Sequence, residues 1–119
     1  MNESLLIRNF KYWQNSKAYL NLMKKFVDKK ISAIEFSDQF FQMWKSDRDK
    51  AYNSEELVYI TENFKLAQID GFSSLISDLF LDCESFEADP LLREDYEISE
   101  EELRSCVKKA LLKIKDCYL

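Results

Sequence analysis

The chain has 119 residues and a formal net charge of −5, and 46% of its residues are hydrophobic and 33% charged. So much apolar side chain, including nine Phe and six Tyr, excludes a disordered tail. The acidic balance argues against nucleic acid as a direct ligand, since phosphate binding requires a basic face.

Residue types that are rare in this chain limit the fold classes and the kinds of chemistry that it can have. A single Gly and a single Pro leave little turn chemistry for a sheet, so a mostly helical protein is predicted. Histidine is absent, which removes the commonest general base and the commonest transition-metal ligand. We expect neither a cofactor nor a bound metal.

The cysteines and the N-terminal residues indicate where the protein works. Cys83, Cys106 and Cys117 form no C-x-x-C pair and leave one thiol unpaired in any disulfide scheme, as expected in a reducing cytosol. The first residues lack the charged lead and apolar run of a signal peptide, and no later stretch approaches the length of a membrane span. A cytoplasmic protein without membrane contact is expected.

Apolar spacing and capping residues predict two helices in the first half of the chain. Ser16 is placed to cap a helix over about residues 17–29, where apolar residues recur at helical spacing. Ser32 and Glu35 form an S-x-x-E capping box, which predicts a second helix over about residues 33–50.

A long apolar pattern follows in the second half. Asn53 and Glu56 form another capping pair, and helical spacing then continues from Leu57 to Phe80. We predict a break or kink at Asp70-Gly71, because glycine is costly inside a helix.

The remaining segments complete the predicted fold. Ser99 and Glu102 form a third capping box before the last helix, and residues 4–13 favour a short helix, with a strand as the alternative. The fold class is therefore all-α, an antiparallel bundle of about four helices with an acidic loop before the last helix. Residues 1–119 are expected to form a single domain, with residues 1–15 as an N-terminal extension.

The main functional signal lies in residues 82–102, which hold ten carboxylates, one base, Arg93, and the only proline, Pro90. Pro90 is expected to end the preceding helix near residues 86–89. An acidic surface of this kind fits a strongly basic partner, because opposite charges steer association. The alternative is that the acidic run is only a solvated face.

Three of these carboxylates group around the predicted end of that helix. Glu84, Glu87 and Asp89 meet the negative end of the helix dipole, which costs about 0.3–1 kcal/mol, so a role other than stability is indicated. Phe86 and Tyr96 are predicted to anchor the loop to the bundle.

Catalysis and metal binding are not predicted. Paired carboxylates serve glycosidases and magnesium-dependent nucleases, but here they lie on a predicted loop with neither a histidine nor a glycine-rich phosphate cradle in the chain. The D-x-D-x-D-G spacing of a calcium loop is missing. Asp47 and Asp49 are interpreted as an ordinary helix end.

Two separated stretches carry a resemblance to a known family. They are KISAIEFSDQF at residues 30–40 and ESFEADPLLREDYEI at residues 84–98, followed by a final helix that ends LLKIK. In both stretches the chain resembles the colicin D immunity protein family, which pairs a K-I-x-A-I-E-F-S helix start with an E-x-F-E-x-D loop. The chain departs from the family at Leu91, where the family has another acid.

The resemblance implies a helical inhibitor that binds the nuclease domain of a tRNA-cleaving toxin one to one. The toxin is then colicin D-like, or a related tRNase of another bacteriocin or of a contact-dependent inhibition system. Carboxylates take the place of tRNA phosphates, so neither nucleic acid nor a small molecule is bound directly. The implied core of the toxin-binding surface is Glu84, Glu87 and Asp89, and Glu94, Asp95 and Glu97 form a second tier.

One other class of function remains open from the residues alone. A helical adaptor without catalytic activity would hold a partner helix in an aromatic groove, here formed by Tyr12, Trp13 and Trp44. Salt separates the two classes, because screening weakens an electrostatic inhibitor and barely affects an apolar groove.

Overall fold

The computed structural model describes residues 3–50 and 55–117, and it confirms the all-α prediction. Within these ranges no strand is found, and the one isolated β-bridge joins Phe86 and Ile98. The helices are α1 (Glu3–Gln14), α2 (Ser16–Val27), α3 (Ala33–Arg48), α4 (Glu55–Asn63), α5 (Leu66–Glu84) and α6 (Glu100–Cys117). The described part of the chain thus has six helices where about four were predicted.

The main core is aromatic and lies between α2, α3, α5 and α6. Phe36 stacks on Phe26 with 4.6 Å between ring centroids, and Tyr19 meets Phe40 edge-on at 5.7 Å. All four side chains are fully buried, so truncating any of them would leave a cavity. A second, smaller cluster joins α1 and α4 to the first turns of α5; its buried members are Leu6, Ile7, Phe10, Ile60 and Ile69.

The N-terminal residues form a helix, as the apolar pattern favoured, and α1 packs along α5. The prediction that Ser16 caps the next helix was wrong, because α2 already begins at Ser16 and Asn15 occupies the N-cap without a side-chain cap bond. The Asn15 side chain instead donates a hydrogen bond to the Asp47 carboxylate at 3.1 Å. A contact with α3 has replaced the local cap.

Two predicted capping boxes are present. The Ser32 hydroxyl accepts from the Glu35 N–H at 3.1 Å, and the Ser99 hydroxyl accepts from the Glu102 N–H at 3.2 Å. The N-terminus of α3 also receives a carboxylate from α6, since Glu100 accepts from the N–H of Ala33 at 2.7 Å. The start of α6, directly after the acidic segment, is therefore fixed against α3. Asn53 of the remaining predicted pair lies outside the described residues.

The break predicted at Asp70-Gly71 was wrong, because the chain leaves the helix at Phe64 and Lys65 instead. Lys65 is extended, with φ −82° and ψ 115°, while Phe64 packs against Phe10 at 4.9 Å between ring centroids. At the glycine, Asn9 of α1 donates to Asp70, and its side-chain oxygen accepts from Ser73 at 2.8 Å. These contacts with α1 stabilise α5 through the glycine.

Candidate functional site

The segment between α5 and α6, residues 85–99, is called the acidic loop below. Its start differs from the prediction, because α5 ends at Glu84 rather than near residues 86–89. The helix ends well before Pro90, so the proline does not terminate it. At the end of the helix, Ile98 donates its N–H to the Ser85 carbonyl at 2.8 Å. Glu87 in turn donates its N–H to the Ile98 carbonyl at 3.1 Å, so these bonds close the base of the loop.

Only one of the two predicted anchors of the acidic loop is present. Phe86 is half-buried and packs against the main core together with Ile98. Tyr96 was predicted to do the same, but it is 76% exposed. The Phe86–Ile98 bridge already pins both arms of the loop, which leaves the Tyr96 side chain free to point into solvent.

The first half of the loop is a turn held by two carboxylates of the predicted site. Leu92 donates its N–H to the Asp89 carbonyl at 3.1 Å, which closes a turn with Pro90 and Leu91 at its centre. The Asp89 side chain accepts from the N–H of Leu91 at 2.9 Å, and the Glu87 side chain accepts from the N–H of Asp89 at 3.2 Å. Each carboxylate uses one oxygen inside the loop.

The second half is a further turn, in which the carboxylate belongs to the last residue. Glu97 donates its N–H to the Glu94 carbonyl at 3.0 Å, and the Glu97 side chain accepts from the N–H of Glu94 at 3.0 Å. Asp95 and Tyr96 occupy the centre of this turn, and both are exposed. The loop is thus two successive turns, the first held by the side chains of Glu87 and Asp89 and the second by that of Glu97.

Arg93 lies between the two turns and ties them to the base of the loop. Its Nε and Nη2 donate to the Glu87 carbonyl at 3.1 and 2.9 Å. Sequence reasoning did not assign this role, although the signal was available, because Arg93 is the only base in residues 82–102. Because the Arg93 guanidinium binds a backbone carbonyl, it does not occupy the neighbouring carboxylates, which can bind a partner.

We expect Arg93→Ala to loosen the acidic loop without unfolding the bundle. Hydrogen bonds from a charged donor are worth about 1.5–3 kcal/mol, so the amides of Leu92 and Ile98 should exchange with solvent about tenfold faster or more. Lys115→Ala is the matched control, because it removes the same charge at the opposite end of α6. Equal exchange rates in both variants would contradict the assigned role of Arg93.

The six predicted site carboxylates therefore fall into separate groups. Glu87 and Asp89 are joined in the first turn and Glu94 and Glu97 in the second, while Asp95 is exposed at the tip of the second turn. Glu84 stands apart at the end of α5, where it lines a cleft of about 560 Å³. Phe41, Lys45, Phe80, Cys83 and Phe86 form the rest of the cleft wall.

The cleft beside Glu84 holds no activated nucleophile. Burial raises the pKa of the Cys83 thiol to about 12, so the thiol stays protonated at neutral pH. In the described part of the chain, no three Cys, Asp or Glu side chains come together as a metal site would require. Nor does any described helix combine the length and apolar character needed to cross a bilayer.

The aromatic residues of the adaptor hypothesis pack against other rings, with Tyr12 buried and Trp13 and Trp44 partly buried. Tyr12 is 2% exposed and stacks on Trp44, with 6.1 Å between the ring centroids. Trp44 stacks on Phe80 at 4.2 Å, and Trp13 meets Phe72 edge-on at 5.7 Å. Each of these rings therefore has a packing partner among α1, α3 and α5.

A known protein family matches most of the chain. A search of curated protein sequences finds no similar protein. Residues 15–114 match the family described as bacterial self-protective colicin-like immunity, and this range contains α2, α3, the acidic loop and most of α6. Because the match covers most of the 119 residues, the chain belongs to the bacterial self-protective colicin-like immunity family.

Proposed function

We propose that this immunity protein binds the nuclease domain of a tRNA-cleaving toxin of colicin D type and covers its active site. The protein acts in the cytoplasm, one copy per toxin, with residues 1–119 working as a single domain and without catalysis of its own. The toxin belongs to a bacteriocin or to a contact-dependent inhibition system. Family membership supplies the general function, which is to bind and neutralise a cognate toxin.

The observation that carries this proposal is the fixed geometry of the acidic loop. Glu87 and Asp89 are held by bonds to backbone N–H groups, and each keeps a second carboxylate oxygen for a partner. An active site built to hold phosphate oxygens with Lys or Arg also accepts carboxylates through charge-assisted hydrogen bonds. Ordering the loop beforehand lowers the entropy cost of association.

We assign the roles within the surface from the family resemblance. Glu84, Glu87 and Asp89 stand in for tRNA phosphates, and Glu94, Asp95 and Glu97 extend the negative surface. The chain as a whole is acidic, with a formal net charge of −5, which repels tRNA and attracts a basic nuclease. Long-range attraction raises the association rate, while the close carboxylate contacts slow dissociation.

A titration of tRNA cleavage tests the proposal. The purified nuclease domain of a colicin D-type toxin, and in parallel that of the toxin encoded beside this chain, is incubated with bulk tRNA and increasing amounts of the immunity protein. We expect cleavage to stop at a one-to-one ratio, with association slowing as salt is raised. Complete inhibition of a toxin whose substrate is not tRNA would refute the tRNase proposal and leave the family assignment intact.

A further inference from the structure

The acidic loop exposes the most accessible large apolar side chains found among the described residues. Leu91 is 93% exposed, Tyr96 76% and Leu92 66%. The other exposed large apolar side chains, such as Leu112 and Leu81, lie between 54% and 58%. The extreme values are thus concentrated in the segment that also carries the carboxylates.

This exposure belongs to an ordered part of the chain. Leu91 and Tyr96 occupy equivalent places near the centres of the two turns, each closed by a backbone hydrogen bond across it. Arg93 lies between them and is fastened to the Glu87 carbonyl. The loop therefore holds large apolar groups in water, although the main core lies beside Phe86 at its base.

Apolar groups held in water gain free energy when a partner covers them, and ordered ones lose little entropy on binding. Protein interfaces commonly place such groups at the centre, with charged groups at the rim, and tyrosine is frequent among the residues that carry binding energy. Three exposed acids, Asp89, Glu94 and Asp95, lie within two residues of these apolar side chains along the loop. The surface has the composition of an interface centre with an acidic rim.

We propose that Leu91, Leu92 and Tyr96 form the apolar anchor of the toxin-binding surface and enter an apolar depression of the nuclease domain that is bordered by Lys and Arg. The acidic rim favours this occupant over a second copy of the chain, because two such loops would repel each other. The inference rests on the proposed function insofar as the partner is the cognate toxin. The apolar anchor would contribute a part of the binding free energy that salt does not screen.

Binding measurements on the full chain and its cognate toxin nuclease domain test the anchor. The variants are Tyr96→Ser and the double variant Leu91→Ser/Leu92→Ser, and Leu112→Ser serves as the matched control on α6. We expect each anchor variant to raise the dissociation constant by at least about tenfold. The factor should be similar at low and at high salt. The control should stay within about twofold, because isolated exposed apolar side chains are ordinary surface features.

Hydroxyl-radical footprinting supplies an independent readout on the unmodified protein. All three side chains should be oxidised rapidly in the free protein and strongly protected in the complex. The inference would be overturned if both anchor variants lost less than about threefold in affinity. It would also be overturned if the three side chains were oxidised as fast in the complex as in the free protein. A toxin that is bound through these residues but cleaves something other than tRNA would refute the proposed function and still support the anchor.

Discussion

Exchanging two carboxylates for amides, Glu87→Gln together with Asp89→Asn, is expected to weaken toxin binding by at least about 100-fold. The amides keep the oxygens that accept from the N–H groups of Asp89 and Leu91, so the turn remains closed. What is lost is the negative charge that we propose to face the partner. Truncating a charged, hydrogen-bonded interface group costs about 2–5 kcal/mol, and the two neighbouring effects need not add.

The amide exchange separates recognition from loop architecture, which an alanine substitution would confuse. Asp89→Ala removes both the charge and the acceptor for Leu91, so a loss of affinity would not identify its cause. The matched control is Asp38→Asn with Glu62→Gln, two exposed acids outside the loop that give the same change in net charge.

Surface plasmon resonance against the immobilised cognate nuclease domain measures the association and dissociation rates of both pairs, and their ratio gives the affinity. We expect the loop pair to lose affinity mainly through faster dissociation and the control pair to change only the association rate and its salt dependence. A loss below about threefold for the loop pair would contradict the assignment of Glu87 and Asp89. The Leu92 amide, which closes the turn, should exchange with solvent equally fast in the loop pair and in the unmodified protein, which would show that the turn is intact.

Asp47→Ala is expected to lower the free energy of unfolding by about 3 kcal/mol, the largest stability effect that we assign to a polar residue. Asp47 is 2% exposed, and its carboxylate accepts from the Tyr19 hydroxyl at 2.7 Å and from the Asn15 side chain at 3.1 Å. Lys50 completes the site with an ion pair at 2.8 Å. The carboxylate thus joins the α1–α2 junction to the end of α3.

The loss of stability in Asp47→Ala arises from the hydrogen-bond donors that remain after the carboxylate is removed. Burial, and then the hydrogen bond and charge of Asp47, raise the pKa of Tyr19, so its hydroxyl remains a protonated donor at any ordinary pH. Without Asp47 that donor is left buried and unpaired, which is the costly case. Lys50 is 45% exposed and returns to water at little cost.

Thermal unfolding checks this prediction against a near neighbour. For a chain of this size, 3 kcal/mol corresponds to a fall of about 10–15 °C in melting temperature. Asp49→Ala is the control, because Asp49 is exposed and pairs with Arg48 at the surface, so little change is expected. Similar melting temperatures for the two variants would show that the Asp47 network does not stabilise the fold.

Asp47 and Asp49 were both interpreted as part of an ordinary helix end, although only Asp47 is buried. The two acids are two residues apart, and nothing in the local pattern distinguishes them. One is buried and the other exposed because Asn15 and Tyr19, about 30 residues earlier in the chain, meet only one of them. Long-range contacts of this kind leave no mark on local spacing.

The sequence by itself determined the helices and the location of the acidic loop. Capping boxes such as Ser32 with Glu35 and apolar spacing act within a few residues, so their physical consequences can be read locally. The tertiary structure decided where helices break, which anchor is buried and how the carboxylates are held. Phe64 leaves the helix to meet Phe10, and Tyr96 stays exposed because Phe86 and Ile98 already close the loop. Each of these outcomes depends on partners distant in sequence, where packing outweighs local preference.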